Sequence, residues 1–236
     1  MAKADQFLIT CEHGGNRIPP RYRQLFLGRE ALLQTHRGLD AGALAMARDL
    51  AAVLAAPLFA STTSRLLIDL NRSIGHPRLY SKATRAAPAA VRREILERHY
   101  LPYRDRAEAH IAAAIAHGNR VIHLSSHSFT PELDGEVRNA DSGLLYDPAR
   151  PGEIELCRRW QAALGALTPN LKVRRNYPYT GKSDGFTAHL RRRFPADAYV
   201  GIELEINQKH VLKGGRHWRG VRGVVVDALR RVLAWG

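Results

Sequence analysis

The sequence predicts an α/β protein of three layers, a mostly parallel or mixed central sheet with helices on both faces. Segments with strand patterning alternate with segments of helical periodicity along the whole chain, the order that builds sheets covered by helices. The apolar fraction, 45% of 236 residues, is enough for a sizeable core. No internal repeat, low-complexity linker or break in composition divides the chain, so a single domain over residues 1–236 is expected.

Each element has its own signal. "QFLITC" (6–11) reads as a short strand that runs into the Gly-Gly turn of "EHGGN". "DAGALAMARDLAAVLAA" (40–56) places apolar residues at helical spacing and opens on Asp40, a natural N-cap or first-turn acid. "PLFAST" and "RLLIDL" carry strand signals. Residues 88–116 read as a helix in two parts, broken near Pro102. "RVIHLSSHSF" (120–129) is a strand containing His123 and His127, and 153–166 is a helix. "LKVRRNYPY" is a strand, "TAHLRRRF" a short helix, "YVGIELEIN" (199–207) a strand, and "GVVVDALRRVLAWG" a closing helix. The longest irregular stretch is 129–152; loops of that length in compact domains are usually functional.

Composition narrows the function. The formal net charge of +14 raises nucleic acid as a partner. However, the arginines are dispersed, the longest run is Arg191–Arg193, and no RNP motif, zinc finger or basic heptad is present. Nucleic-acid binding is therefore the lesser reading, and attraction of small anionic substrates the milder one. Cys11 and Cys157 are too few for a disulfide framework and read as buried thiols. No run of about 18 apolar residues exists, which argues against a membrane span. The N-terminal stretch lacks the apolar core of a signal peptide, so a cytoplasmic protein is expected. Ser125, Ser126 and Ser128 have no GxSxG elbow around them, and no phosphate-binding Gly-rich motif occurs.

In open α/β sheets, ligands bind beyond the carboxyl ends of the strands. Four segments here end in polar residues: Glu12 and His13; Asp69, Asn71 and Arg72; His127; and Glu203, Glu205 and Asn207. Burying such groups without partners is costly, so they must satisfy one another in a shared site. Two histidines and a carboxylate with one open position make a catalytic zinc arrangement. His13 and His127 are the candidate ligands, and Asp40, Glu12 and Asn16 compete for the third place. His123 is read as structural. Another acid can serve as general base. Arg72 is suited to grip a substrate carboxylate, whereas Arg65 pairs with Asp69 as scaffold. Arg138 and Asn139 in the long loop offer a second anion contact; Arg175, Tyr179 and Asp184 stand in another Gly-rich loop.

The ordered set "CEHGGNRIP", "HRGLDAGAL", "SRLLIDLNRS", "HLSSHSF", "LDGEVRNADSGLLYD" and "GIELEINQ" resembles the N-formylglutamate amidohydrolase family from about residue 7 to residue 210. "DLNRS" and "SSHSF" are also similar to the substrate-carboxylate pair and last histidine ligand of zinc carboxypeptidases. The resemblance implies a zinc-exopeptidase-like fold and hydrolysis of an amide on an acidic amino acid, with N-formyl-L-glutamate the leading substrate. It implies Zn2+, or another divalent metal, on His13 and His127, and Asn71–Arg72 as the carboxylate clamp. It also implies Glu205 as the base, with Glu203 as runner-up. The carboxypeptidase HxxE pattern requires an acid where this chain has Asn16, which moves the third ligand to Asp40. Two alternatives stand beside this reading: a peptidoglycan amidase or carboxypeptidase-like hydrolase, and a basic nucleic-acid-binding protein on an inactive hydrolase fold.

Overall fold

The computed structural model describes residues 3–234. Eight strands are present among these residues: β1 (Asp5–Cys11), β2 (Leu58–Ala60), β3 (Arg120–Phe129), β4 (Glu132–Leu133), β5 (Glu136–Val137), β6 (Ser142–Leu145), β7 (Val173–Arg175) and β8 (Tyr199–Asn207). Six form one sheet in the order β2-β1-β3-β8-β6-β7, and β4 and β5 make a separate antiparallel ribbon. β2, β1, β3 and β8 are mutually parallel, and β6 pairs antiparallel with β8, so the sheet is mixed. The helices are α1 (Glu30–Leu33), α2 (Ala43–Val53), α3 (Lys82–Arg85), α4 (Ala89–Ile95), α5 (Leu101–Ala116), α6 (Pro151–Leu167), α7 (Phe186–Arg193), α8 (Gln208–Lys213) and α9 (Gly215–Ala234).

Alternation along the strands sorts the core into two layers. Ile9, Leu124 and Ile202 face one side, where α2, α6 and α9 supply Met46, Trp160 and Leu229. Leu8, Val121 and Tyr199 face the other, against Ile111 of α5 and Phe186 and Leu190 of α7. Every residue of β8 is buried, as expected of a central strand covered on both faces. Among the described residues no helix is long and apolar enough to cross a membrane.

The structure corrects one element. Residues 65–70, expected as a strand, form a turn-rich loop. Leu67, Ile68 and Leu70 are indeed buried, but in a satellite cluster with Tyr22, Phe26, Ile95 and Tyr100 rather than in the sheet. Local polar side chains capture the backbone: Leu66 N donates to Ser64 Oγ at 3.2 Å and Asn71 N to Asp69 Oδ1 at 2.9 Å. Such local bonds compete with a strand ladder. Other differences are smaller. α2 starts at Ala43, with Asp40 just ahead of it. The break between α4 and α5 is a wide π-type turn over Leu96–Tyr100, ahead of Pro102. The 129–152 stretch contains the β4–β5 ribbon and β6, and α9 begins earlier than the apolar pattern suggested.

A buried ion pair ties α6 and α7 to β8. Arg191 Nε donates to Glu153 Oε1 at 2.9 Å and its Nη2 donates to Gly201 O at 2.7 Å. Glu153 also accepts from Gly201 N at 3.1 Å and Asp147 N at 2.8 Å. Removing one partner of a buried pair leaves an uncompensated charge, so Arg191→Met is expected to lower stability by about 3 kcal/mol in urea unfolding. A loss below about 1 kcal/mol would show that the pair is replaceable.

Candidate active site

The site forms where the carboxyl ends of β1, β3 and β8 meet the start of α2. His13 follows β1 in a turn that passes close to residue 62: a Cβ on Gly15 would sit 2.5 Å from Thr62 O, so that position must be glycine. Asp40 N donates to His13 O at 3.0 Å, which joins the two segments directly. Ser126 Oγ donates to Ala43 O at 2.9 Å and Ser128 Oγ to Ala41 O at 2.7 Å. These alternate serines fasten one face of β3 to the segment carrying Asp40. The opposite face presents Ser125 and His127, which lie beside Glu203 and Glu205 in the β3–β8 register.

His13 Nδ1 and His127 Nδ1 both point at Asp40 Oδ2, at 3.2 and 2.9 Å. One ligand atom from each of the three residues lies within 4.8 Å of the other two, and all three residues are buried. The far nitrogens are held by acids: His13 Nε2 is 2.7 Å from Asp69 Oδ1, and His127 Nε2 is 3.2 Å from Glu12 Oε2. A carboxylate behind the ring is the usual orienting partner of a metal-binding histidine. Glu12 is fixed in turn by Ser125 Oγ at 2.7 Å and Tyr103 Oη at 3.0 Å. Arg65 bridges the assembly, donating from Nη1 to Asp40 at 3.1 Å and from Nη2 to Asp69 at 2.8 Å. That bridge accounts for two of the three charges crowded into "SRLLIDLNRS", Arg65 and Asp69.

The electrostatics follow from this packing. Burial alone would raise Glu12, Asp40 and Asp69. His127 outweighs it at Glu12, His13 and His127 with Arg65 outweigh it at Asp40, and Arg65 with His13 outweigh it at Asp69. All three are held far below the usual carboxylate range. Burial would lower His127, but its bonds to Asp40 and Glu12 raise it instead. Glu205 goes the other way. Burial, reinforced by the Asp40 and Glu203 charges, lifts it to about 8. Its Oε2 is buried without a hydrogen-bond partner. Glu203 differs, because Thr187 Oγ1 donates to its Oε1.

Two imidazole nitrogens and a carboxylate oxygen converging on one point and backed by acids, in a cavity also lined by Glu205 with its orphaned oxygen, fit a divalent cation such as Zn2+. The trio lines a cavity of about 430 Å³ together with Arg65, Asn71, Arg72, Glu203 and Glu205. Asn71 Oδ1 accepts from Phe186 N at 2.6 Å at the start of α7, and its Nδ2 lies 3.4 Å from His127 Nε2. Arg72 Nη1 donates to Asn71 O at 2.9 Å and Asp184 O at 2.6 Å, while its Nε is buried without a partner.

Other candidate residues lie elsewhere. Asn16 hydrogen-bonds Gln34 at 3.1 Å. Arg138 reaches the cavity rim indirectly, through Tyr179 Oη at 3.0 Å. Asn139 lines a separate depression with Lys172 and Arg174. Arg175 is exposed on the edge strand β7 and is not among the cavity-lining residues. His123 is buried between Thr10 Oγ1 at 2.8 Å and Tyr199 Oη at 2.7 Å, and burial lowers it to about 4. Sequence reasoning missed Arg78, which lines the cavity with His76. Its signal was faint: a single arginine just past the polar run ending at Arg72. The roles of Glu12 and Asp69 behind the histidines also required the fold.

The chain aligns over 97% of its length, at 30% identity and a TM-score of 0.82, with 90% of a crystallised gene product from Agrobacterium tumefaciens. It also aligns over 99% of its length with 94% of the N-formylglutamate amidohydrolase from Ralstonia eutropha JMP134, at 18% identity and a TM-score of 0.70, a likeness of fold. No curated protein matches the sequence. The family model for N-formylglutamate amidohydrolases matches residues 5–212, most of the chain and the range within which His13, Asp40 and His127 lie. The chain belongs to the N-formylglutamate amidohydrolase family.

Proposed function

We propose that the protein hydrolyses the amide of an N-acylated acidic amino acid, with N-formyl-L-glutamate yielding formate and glutamate. His13, Asp40 and His127 are the residues that would hold a divalent cation, Zn2+ being the best match to two nitrogens and one oxygen. Such an ion supplies a nucleophile at neutral pH and stabilises negative charge on the substrate oxygen. Glu205 accepts a proton from the attacking water and returns it to the departing amine. Arg72, anchored on two backbone carbonyls, offers the rest of its fork to a substrate carboxylate. Arg65 keeps Asp40 and Asp69 ionised, so that one is available as a ligand and the other holds His13.

The observation that carries this reading is Glu205 Oε2: a buried carboxylate oxygen without a partner, on the wall of the cavity that the trio lines. The test joins elemental analysis of the purified protein with a formate assay on N-formyl-L-glutamate. About one equivalent of divalent metal, formate release, and loss of that release with a chelator are expected. A protein that takes up no metal when offered Zn2+ and releases no formate would refute the proposal.

A further inference from the structure

We infer that Arg78 reads an acidic side chain on the substrate, and so sets specificity for a dianion; the inference rests on the amidohydrolase reading above. The cavity wall carries three guanidiniums, on Arg65, Arg72 and Arg78. Arg65 already bridges two acids, Asp40 and Asp69. Arg72 sits beside Asn71, next to His127, with its Nη1 anchored on two backbone carbonyls. Arg78 is exposed, and its side chain makes no ion pair or hydrogen bond among the described residues. A guanidinium on a cavity wall with no anion of its own is a ready partner for an anion from the ligand.

The loop that carries Arg78 is built and pinned. His76 N donates to Ser73 O and Leu79 N to His76 O, both at 3.0 Å. Leu79 is buried in the satellite cluster, and its carbonyl accepts from Asp69 N at 2.9 Å. The loop therefore has a fixed tie to the acid that holds His13. Arg78 N donates to His76 Nδ1 at 3.0 Å, which makes that nitrogen the acceptor and leaves Nε2 as the donor of a neutral ring. His76 lines the same cavity, so the loop presents two donors. None of the acids on this wall pairs with Arg78: Asp184 accepts from Ser73 N at 2.9 Å, and Glu203 from Thr187. The other loop arginine, Arg138, is committed to Tyr179, at 3.0 Å to the hydroxyl and 5.1 Å to the ring centroid.

The test measures kcat/KM of wild type and Arg78→Gln on N-formyl-L-glutamate and on N-formyl-L-glutamine, its near-isosteric neutral counterpart. Wild type is expected to prefer the glutamate. Arg78→Gln is expected to shrink that preference roughly 10- to 100-fold, mainly through KM, as loss of a charge-assisted bond does. Calorimetry with the product L-glutamate against L-glutamine should show the same contrast without turnover. A preference ratio within about two-fold of wild type would overturn the role of Arg78 while leaving the reaction intact. Formate from neither compound, with metal-loaded wild type, would instead overturn the reaction and this inference with it.

Discussion

Glu205→Gln is expected to lower kcat on N-formyl-L-glutamate by about 10²- to 10⁴-fold, the usual weight of a positioned general base. Glutamine keeps the shape of the side chain but cannot take up a proton. The variant should fold at least as well as wild type. In the metal-free chain, burial with the Asp40 and Glu203 charges lifts Glu205 to about 8, so the ionised form is disfavoured there and a neutral amide relieves the conflict. Low activity together with unchanged or higher stability in urea unfolding separates a chemical role from a structural one. Glu203→Gln provides the comparison, because that carboxylate already accepts from Thr187 and is not free to exchange a proton with substrate in the same way. Activity of Glu205→Gln within ten-fold of wild type, or a larger loss at Glu203, would reassign the base.

Much of this arrangement can be read along the chain, because a parallel sheet gathers the ends of its strands at one edge. His13 just past β1, His127 near the end of β3 and Glu205 near the end of β8 each stand where a strand signal runs out. Once β3 and β8 are recognised as neighbours, alternation puts His127 and Glu205 on one face. The parts that do not read this way are those set by tertiary contact. Nothing near Glu12 in the sequence says that it stands behind His127 rather than in front of it. That depends on Ser125 and Tyr103, which come from β3 and α5. The apolar run 66–70 misleads for a different reason: burial alone cannot tell a strand from a buried loop, and the Ser64 and Asp69 side chains decide in favour of turns. Arg175 misleads as well, because its loop chemistry says nothing about β7 lying at the sheet edge with that side chain in solvent.

Arg65→Met is expected to have the largest effect on stability, about 3–5 kcal/mol at neutral pH, with activity lost alongside. The guanidinium is a bidentate bridge between two nearly buried carboxylates, Asp40 and Asp69, which are 6% and 7% exposed. Methionine fills a similar volume and supplies no charge. Burial would raise Asp69, and Arg65 is the largest influence holding it well below its ordinary value, ahead of His13. A carboxyl depressed in the folded state contributes stability that is present above its unfolded pKa of about 4 and is lost as pH falls toward the folded value. The gap between wild type and Arg65→Met should therefore be full at pH 7 and narrow below about pH 4, as Asp69 takes up a proton in the variant. Arg65→Lys should fall between the two, since one ammonium cannot reproduce a two-pronged bridge. Equilibrium unfolding in urea at pH 7 and at about pH 3, below the unfolded carboxyl value, reads both effects. A variant that loses less than about 1 kcal/mol at pH 7 would mean that the histidines alone stabilise the two acids, and that the bridge is dispensable.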